Sequence, residues 1–453
     1  MRTAVVILAA GQGTRMKSEL PKVLHPLGGR PLVAYSIATA RALTTEMPVL
    51  VIAPESDVVR AIVGENVVFV EQAEPLGTGH AVLQAREALQ EKTDLVAVIY
   101  ADMPLLRPDT LERLMDQQRL NSGPVTILTL INDDSRGFGH IIRDEAGEIV
   151  EVVEEAVATP EQLAIDELNA GVYCFDADWL WSHVGEIPMS LPKGEYYLTD
   201  LVGMAVSEGS RVDAVVTHDA AEALGINTRL HLAEAEQALR RRVNERWMSE
   251  GVTIVDPATT YIEPDVEIGQ DTTVWPNTHL RGSTVIGRGC DIGPNSVIVC
   301  SHIGDGCRVM ASVLEHAVMD AESDIGPFSH LRQGAQIGTG AHVGNFGEIK
   351  NTTIGPGTRV GHFGYLGDAE VGRDVNIGAG TITCNYDGVR KQRTVIEDGA
   401  FIGSDTMLVA PVRIGRGART GAGSVVTHDV PDGATVYGVP AHLRNKETDG
   451  GTG

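Results

Sequence analysis

Ile268-Gly269-Gln270-Asp271-Thr272-Thr273-Val274-Trp275-Pro276-Asn277-Thr278-His279-Leu280 places an aliphatic side chain at every sixth position, and the pattern runs on through Ile286, Ile292 and Ile298. A second run is Ile402, Leu408, Ile414, Thr420 and Val426, interrupted only by the Thr. Gly often follows the aliphatic residue, as at Gly269, Gly287, Gly293, Gly338, Gly355, Gly378, Gly403 and Gly415. A period of six is neither helical nor strand alternation. It is the hexapeptide signature of a left-handed parallel β-helix, in which three hexads make one triangular coil. The aliphatic side chain enters the narrow core and small residues fit the corners. Such a solenoid says little about chemistry by itself.

Upstream, the texture changes. From Arg229 to Glu250 the residues Leu232, Ala235, Leu239, Val243 and Trp247 fall on one helical face, with Gly251 as the stop signal. This reads as a connecting helix. Before it, apolar strands alternate with helical patterns. The strands are Val5–Ala10, Val49–Ala53, Val67–Val70, Leu95–Tyr100 and Val125–Leu130, and the helices Leu32–Leu43, His80–Leu89 and Thr110–Arg119. A hairpin is expected around Glu145-Ala146-Gly147, with strands near Gly171–Phe175 and Val212–Val216. Continuous apolar strands separated by helices predict a mostly parallel sheet covered on both faces. The fold class is α/β: a Rossmann-like domain over 1–228, a linker helix over 229–250, and the β-helix with a disordered tail over 251–453.

Composition agrees. A chain of 453 residues exceeds what one hydrophobic core usually serves. The 51 Gly and the aromatic fraction of only 4% suit many tight turns around small aliphatic side chains. The formal net charge of −25 argues against a general nucleic-acid or anionic-membrane binder. It also means that a phosphorylated substrate needs local cations or a metal. Five Cys without a C-x-x-C pair speak against a disulfide framework or zinc site and fit a reducing cytoplasm. The apolar start leads into Gly11-Gln12-Gly13 and not a cleavage site, and no run is long enough for a membrane span.

Three motifs in the first half carry chemistry. Leu8-Ala9-Ala10-Gly11-Gln12-Gly13-Thr14-Arg15-Met16 closes the first strand with glycines that let backbone N–H groups approach a phosphate, and Arg15 adds charge. Alone it is equally an ordinary turn, and a dinucleotide fingerprint would need Gly where Met16 stands. Leu20-Pro21-Lys22-Val23-Leu24 offers a Lys to the same phosphates. Tyr100-Ala101-Asp102-Met103-Pro104-Leu105 puts an Asp at a strand's carboxyl end, where ligands of open α/β sheets bind. Asp102 suits Mg²⁺ beside a nucleotide phosphate, or is a turn carboxylate. In the second half, Gly361-His362-Phe363-Gly364-Tyr365-Leu366-Gly367-Asp368 and Cys384-Asn385-Tyr386-Asp387-Gly388 break the small-residue pattern. His362 has the right type for a base in amine acetylation, though among 14 His a solvated one is the simpler reading.

G-x-G-T-R-M, L-P-K, Gln72 with Leu76-Gly77-Thr78-Gly79-His80-Ala81, and A-D-M-P-L together resemble the sugar-nucleotide pyrophosphorylases. With the β-helix, nearly the whole chain, Val5 to about Pro440, resembles the bifunctional N-acetylglucosamine-1-phosphate uridylyltransferase / glucosamine-1-phosphate acetyltransferases. The resemblance implies that Leu8, Ala9, Ala10, Gly11, Tyr100, Ala101 and Asp102 line a uridine nucleotide, with Gln72, Gly77 and Thr78 selecting the base. Arg15 and Lys22 neutralise the triphosphate, Asp102 and Asn227 hold Mg²⁺, and Gly139, Glu154, Asn169 and Asn227 meet the sugar. Asn227 is also placed to cap the linker helix, and Glu151 sits in a context like that of Glu154. On the β-helix the resemblance implies His362 as general base and Arg332, Lys350, Tyr365 and Asn376 on the sugar phosphate. Ala379, Asn385, Tyr386, Ser404 and Ala422 would meet acetyl-CoA. Ala101 stands where the family usually has Gly, Gly364 where a hydroxyl residue is common, and Gly438 where some members place an Arg.

The implied reactions are acetylation of glucosamine 1-phosphate by acetyl-CoA, then attack of N-acetylglucosamine 1-phosphate on UTP. The product, UDP-N-acetylglucosamine, feeds peptidoglycan and lipopolysaccharide precursor synthesis. A homotrimer in the cytoplasm is implied too, with no nucleic-acid or membrane partner.

Overall fold

A computed structural model of the chain describes residues 1–190 and 194–443. The tail expected to be disordered ends the chain outside those residues. Contacts divide the chain into two compact units, Met1–Leu239 and Arg240–Gly453.

The first unit is built on a 9-stranded sheet. Across it run Val212–Thr217, Val125–Ile131, Glu167–Asp176, Leu95–Tyr100, Thr3–Leu8, Val49–Ile52 and Val68–Glu71. The four strands from Leu95–Tyr100 outward are parallel. Thr3–Leu8 explains the unbroken apolar runs. Ala4, Val6 and Leu8 enter one buried cluster with Val98 and Trp181, while Val5 and Ile7 enter another with Ile99 and Leu114. A strand covered on both faces has no polar side.

The sheet is mixed, where continuous strands predict mostly parallel pairing. Glu167–Asp176 lies antiparallel to both of its neighbours, and the hairpin His140–Arg143 with Ile149–Val153 extends from it. An apolar run encodes burial and leaves the partner's direction open. Leu32–Leu43 is helical as expected, whereas His80–Leu89 is two short helices, Thr78–Gln84 and Arg86–Leu89.

The linker helix runs Arg229–Ser249 and stops ahead of Gly251. Its first half belongs to the first unit, where Ala235, Leu232 and Leu239 cover Met16, Leu27 and Ile226. Its second half belongs to the second unit, where Asn244 Nδ2 donates to the carbonyls of Pro257 and Thr260 at 3.0 and 3.1 Å.

The second unit is a left-handed parallel β-helix whose three faces are sheets of 12, 10 and 9 short strands, parallel except for the last strand, His442–Leu443, which pairs antiparallel with Thr435–Tyr437. Every aliphatic residue of the two hexad runs is buried. Two positions before most of them stands a second inward column of small residues: Thr272, Thr278, Thr284, Cys290, Ser296 and onward to Ser424, with Val266 and Val412 in place of a small residue before Ile268 and Ile414. Cys290 and Cys307 are therefore space-filling members of this column, and burial pushes both thiols up from their ordinary pKa. In the middle coils the period contracts: Asp291 pairs with Arg308 and Arg308 with Asp324. Further on the coil opens outward in an excursion closed by a bridge between Tyr386 and Lys391.

Candidate active sites

The loop after Thr3–Leu8 and the segment carrying Lys22 are built against each other. A β-carbon at Gly13, whose φ is 61°, would lie 2.6 Å from Lys22 Cβ, so only Gly lets the Lys stem pass. The Lys22 ammonium is ion-paired with Asp102, and both side chains are mostly buried. It also donates to Asn227 Oδ1 at 3.1 Å. The Ile226 N–H donates to the Asp102 carbonyl at 2.8 Å and pins this segment to the strand end. Thr228, not Asn227, caps the linker helix. Thr228 Oγ1 accepts from the His231 N–H at 3.2 Å and its carbonyl from the Leu232 N–H at 3.0 Å. The Asn227 amide oxygen is thereby left to the cation.

Lys22 and Asp102, but not Asn227, line a cavity of about 570 Å³ together with Leu8, Ala9, Ala10, Gly11, Arg15, Gln72, Gly77, Thr78 and Tyr100. Gln72 Nε2 donates to the Gly77 carbonyl at 3.0 Å, and the Gln72 amide oxygen is the remaining polar atom of that side chain. Arg15 is exposed and has no ion-pair partner among the described residues, a free cation at the mouth. Ala101 is the exception in the expected set. Its N–H is tied to the Leu8 carbonyl at 3.0 Å and its methyl is packed in the apolar core behind the strand, so it does not narrow the cavity. Burial, then the Asp102 charge, pushes the Tyr100 phenol well above its ordinary pKa, so it stays a neutral hydroxyl.

Gly139 and Asn169 are joined: the Asn169 N–H donates to the Gly139 carbonyl at 2.8 Å. Glu154 Oε1 accepts from Thr199 Oγ1 at 3.4 Å, whereas Glu151 is exposed on the hairpin. Burial, then the charge of Glu154, pushes the Asp200 carboxyl above its ordinary pKa. The sequence reading missed Glu195 and Tyr197, which line the same cavity. Glu195-Tyr196-Tyr197 was a usable signal, an aromatic pair beside a carboxylate in an aromatic-poor chain.

On the β-helix the expected residues fall into two columns flanking one face. His362 is exposed at a corner ahead of the strand Gly364–Gly367. Ala379, Ser404 and Ala422 follow on the same corner of later coils, tied by Gly380 N–H to Phe363 O, Asp405 N–H to Ala379 O and Gly423 N–H to Ser404 O at 2.7, 2.6 and 2.8 Å. A β-carbon at Gly364 would press to 2.8 Å on the Thr381 carbonyl, which accounts for the missing hydroxyl residue. Across the face stand Arg332 and Lys350, with Tyr365 between the columns. Asn385 Nδ2 donates to Asp368 Oδ2 at 2.5 Å and to the Tyr365 hydroxyl at 3.4 Å. Asn376 lies on the adjoining face, paired with Arg359 and Phe401. Tyr386 is exposed on the excursion.

The sequence reading also missed Lys391, which the excursion returns to Lys350. Lys391 first and Arg332 second hold the Lys350 ammonium below its ordinary pKa. Arg332 is in turn ion-paired with Glu348 at 2.8 Å, so three cations and one carboxylate gather at this place in a chain of net −25.

Fold and sites together define a two-part transferase: a nucleotidyltransferase of the open α/β type followed by a hexapeptide acyltransferase. Residues 5–160 match the MobA-like NTP transferase domain, and 265–300 and 393–428 match the bacterial transferase hexapeptide repeat. A Shouchella clausii protein called bifunctional protein GlmU is 44% identical over 95% of this chain and 94% of its own length. Those of Pelobacter propionicus and Halalkalibacterium halodurans are 45% and 44% identical, over 95% and 98% of this chain and 94% and 97% of theirs. The chain belongs to the bifunctional GlmU family. It is an acetyltransferase and a uridylyltransferase in one polypeptide, acting in sequence to make UDP-N-acetylglucosamine. Among the described residues no helix is long and apolar enough to cross a membrane.

Proposed function

We propose the following division of roles. At the β-helix, the amine of glucosamine 1-phosphate attacks the thioester carbon of acetyl-CoA while His362 takes the amine proton; the C–S bond breaks and CoA leaves. Arg332, Lys350 and Lys391 hold the sugar phosphate, Tyr365 and Asn376 orient the sugar, and Ala379, Asn385, Tyr386, Ser404 and Ala422 line the path of the cofactor. At the first site, the phosphate of N-acetylglucosamine 1-phosphate attacks the α-phosphorus of UTP, a P–O bond breaks and pyrophosphate leaves. Arg15 and Lys22 stabilise the charge that develops on the phosphates. Gln72, Gly77 and Thr78 hold the base, and Gly139, Glu154 and Asn169 the sugar.

One observation carries the first half of this reading: the Lys22 ammonium already bridges the Asp102 carboxylate and the Asn227 amide oxygen. Two hard oxygen donors that converge on one cation suit Mg²⁺, which takes its remaining ligands from water and phosphate. Among the described residues no cluster of three His, Cys, Asp or Glu offers a fuller protein cage. Mg²⁺ held by Asp102 and Asn227 would supply charge neutralisation on the triphosphate. A trimer is supported by Phe328, Phe346 and Phe363, which stand 63%, 57% and 56% exposed on the corner that carries His362. We place the protein in the cytoplasm, where UTP and acetyl-CoA are made.

The test is reconstitution with glucosamine 1-phosphate, acetyl-CoA, UTP and Mg²⁺, each omitted in turn. Omitting acetyl-CoA should stop nucleotide-sugar formation unless N-acetylglucosamine 1-phosphate is supplied. His362→Ala should lower acetyl transfer by about 10²–10⁴-fold and leave uridylyl transfer intact; an unchanged acetylation rate returns His362 to the solvated histidines.

A further inference from the structure

The strand Glu167–Asp176 carries an irregularity beside the first site. Asn169 pairs with Thr129 and Tyr173 with Ile127, and the register shifts between them. Bulges of this kind re-aim side chains next to active sites. Gly171 makes this one possible. Its φ is +79°, and an added β-carbon would lie 3.3 Å from the Tyr100 ring that lines the nucleotide cavity.

The Asn169 side chain stitches its own bulge together. Its Oδ1 accepts from the Gly171 N–H at 3.0 Å, and its Nδ2 donates to the Tyr173 hydroxyl at 2.8 Å. Asn169 is 5% exposed and Tyr173 1%. The Gly171 N–H is only a donor, so it fixes which end of the amide is oxygen. The Nδ2 group has two hydrogens. One is spent on Tyr173, and the other remains.

We infer that the Tyr173 hydroxyl is a positioning group for sugar recognition: with Gly171 it locks the Asn169 amide so that one N–H stays directed at an acceptor oxygen of the sugar phosphate substrate. The inference rests on the reading that Asn169 contacts that sugar. Tyr173 itself touches no substrate. The reason for a phenol is geometric, because the register shift lies between Asn169 and Tyr173 and the hydroxyl reaches across it to the Asn169 amide.

The variant Tyr173→Phe deletes one oxygen and keeps the ring, so the core stays filled. The KM for N-acetylglucosamine 1-phosphate should rise about 3- to 10-fold, the scale of one lost hydrogen bond. The KM for UTP and the acetylation rate should stay near wild type, with a modest fall in unfolding temperature from the unpaired Asn169 N–H. Asn169→Ala is measured beside it. If both variants raise the sugar KM selectively, the inference stands. If Asn169→Ala raises it and Tyr173→Phe does not, the positioning role is wrong and the sugar contact survives. If Asn169→Ala leaves it unchanged, the underlying sugar assignment fails. If Tyr173→Phe lowers the unfolding temperature and moves both KM values alike, the phenol is merely structural.

Discussion

Lys22 Nζ donates to Asn227 Oδ1 at 3.1 Å across 205 residues of chain, and the same ammonium is ion-paired with Asp102. The P-K segment, the end of a central strand and the entry to the linker helix therefore meet at one point. Removing the carboxylate leaves a mostly buried ammonium beside a neutral amide. Asp102→Ala should lower uridylyl transfer by roughly 10²-fold or more at saturating Mg²⁺, with acetyl transfer unchanged. Near-normal Mg²⁺-dependent turnover in that variant would return Asp102 to the turn carboxylates.

The linker helix is shared, so where the chain is cut matters. Residues 1–239 keep Leu232, Ala235 and Leu239 over Met16 and Leu27, whereas residues 1–228 expose that cluster. The lost burial amounts to roughly 2–4 kcal/mol. The 1–239 fragment should make the nucleotide sugar from supplied N-acetylglucosamine 1-phosphate and UTP, and the 1–228 fragment should melt lower. Equal melting temperatures would show that the helix contributes nothing to this core.

Lys350 gives a pH dependence whose sign follows from its neighbours. Lys391 and Arg332 hold its pKa below the ordinary 10.5. The charged form is thus disfavoured in the folded chain, and its contribution to stability improves as pH rises from the depressed value toward 10.5. A bound phosphate dianion reverses the effect by favouring the ammonium. The KM for glucosamine 1-phosphate should therefore rise once pH passes the depressed value. In Lys391→Ala that alkaline rise should move to higher pH, because the largest perturbing cation is gone. A rise at unchanged pH would separate Lys391 from Lys350.

Thr420 occupies an aliphatic position in the ladder, yet it is not a defect. Its Oγ1 accepts from the Gly403 N–H at 2.9 Å and meets Thr406 Oγ1 at 3.0 Å. Thr420→Val is close in shape and more apolar, but it leaves a buried N–H unpaired. It should destabilise the β-helix by about 1–3 kcal/mol, read as a lowered denaturation midpoint. A stabilised variant would mean that the hydroxyl carries no weight.

Local patterning was enough for much of this protein. The hexad ladder specifies the β-helix because one inward side chain per short strand is a requirement of each coil by itself. The linker helix and Leu32–Leu43 were legible for the same kind of reason, since a 3.6-residue period is local. The loop at Gly11 to Arg15 and Asp102 were legible as polar groups at strand ends, and they line one cavity. Assembly was not. That Thr228 and not Asn227 caps the linker helix, and that Lys22 meets Asn227 from the other end of the chain, depended on how distant segments pack. The different settings of Glu154, which accepts from Thr199, and of Glu151, which is exposed, are likewise set by the hairpin's packing. Lys391 came to Lys350 through an excursion that the hexad period does not encode. The antiparallel strand Glu167–Asp176, and with it the bulge between Asn169 and Tyr173, belongs to the same class. Side-chain period records which face a residue buries. Strand partners, direction and long-range ion pairs are set by packing between segments, and those only the tertiary structure decides.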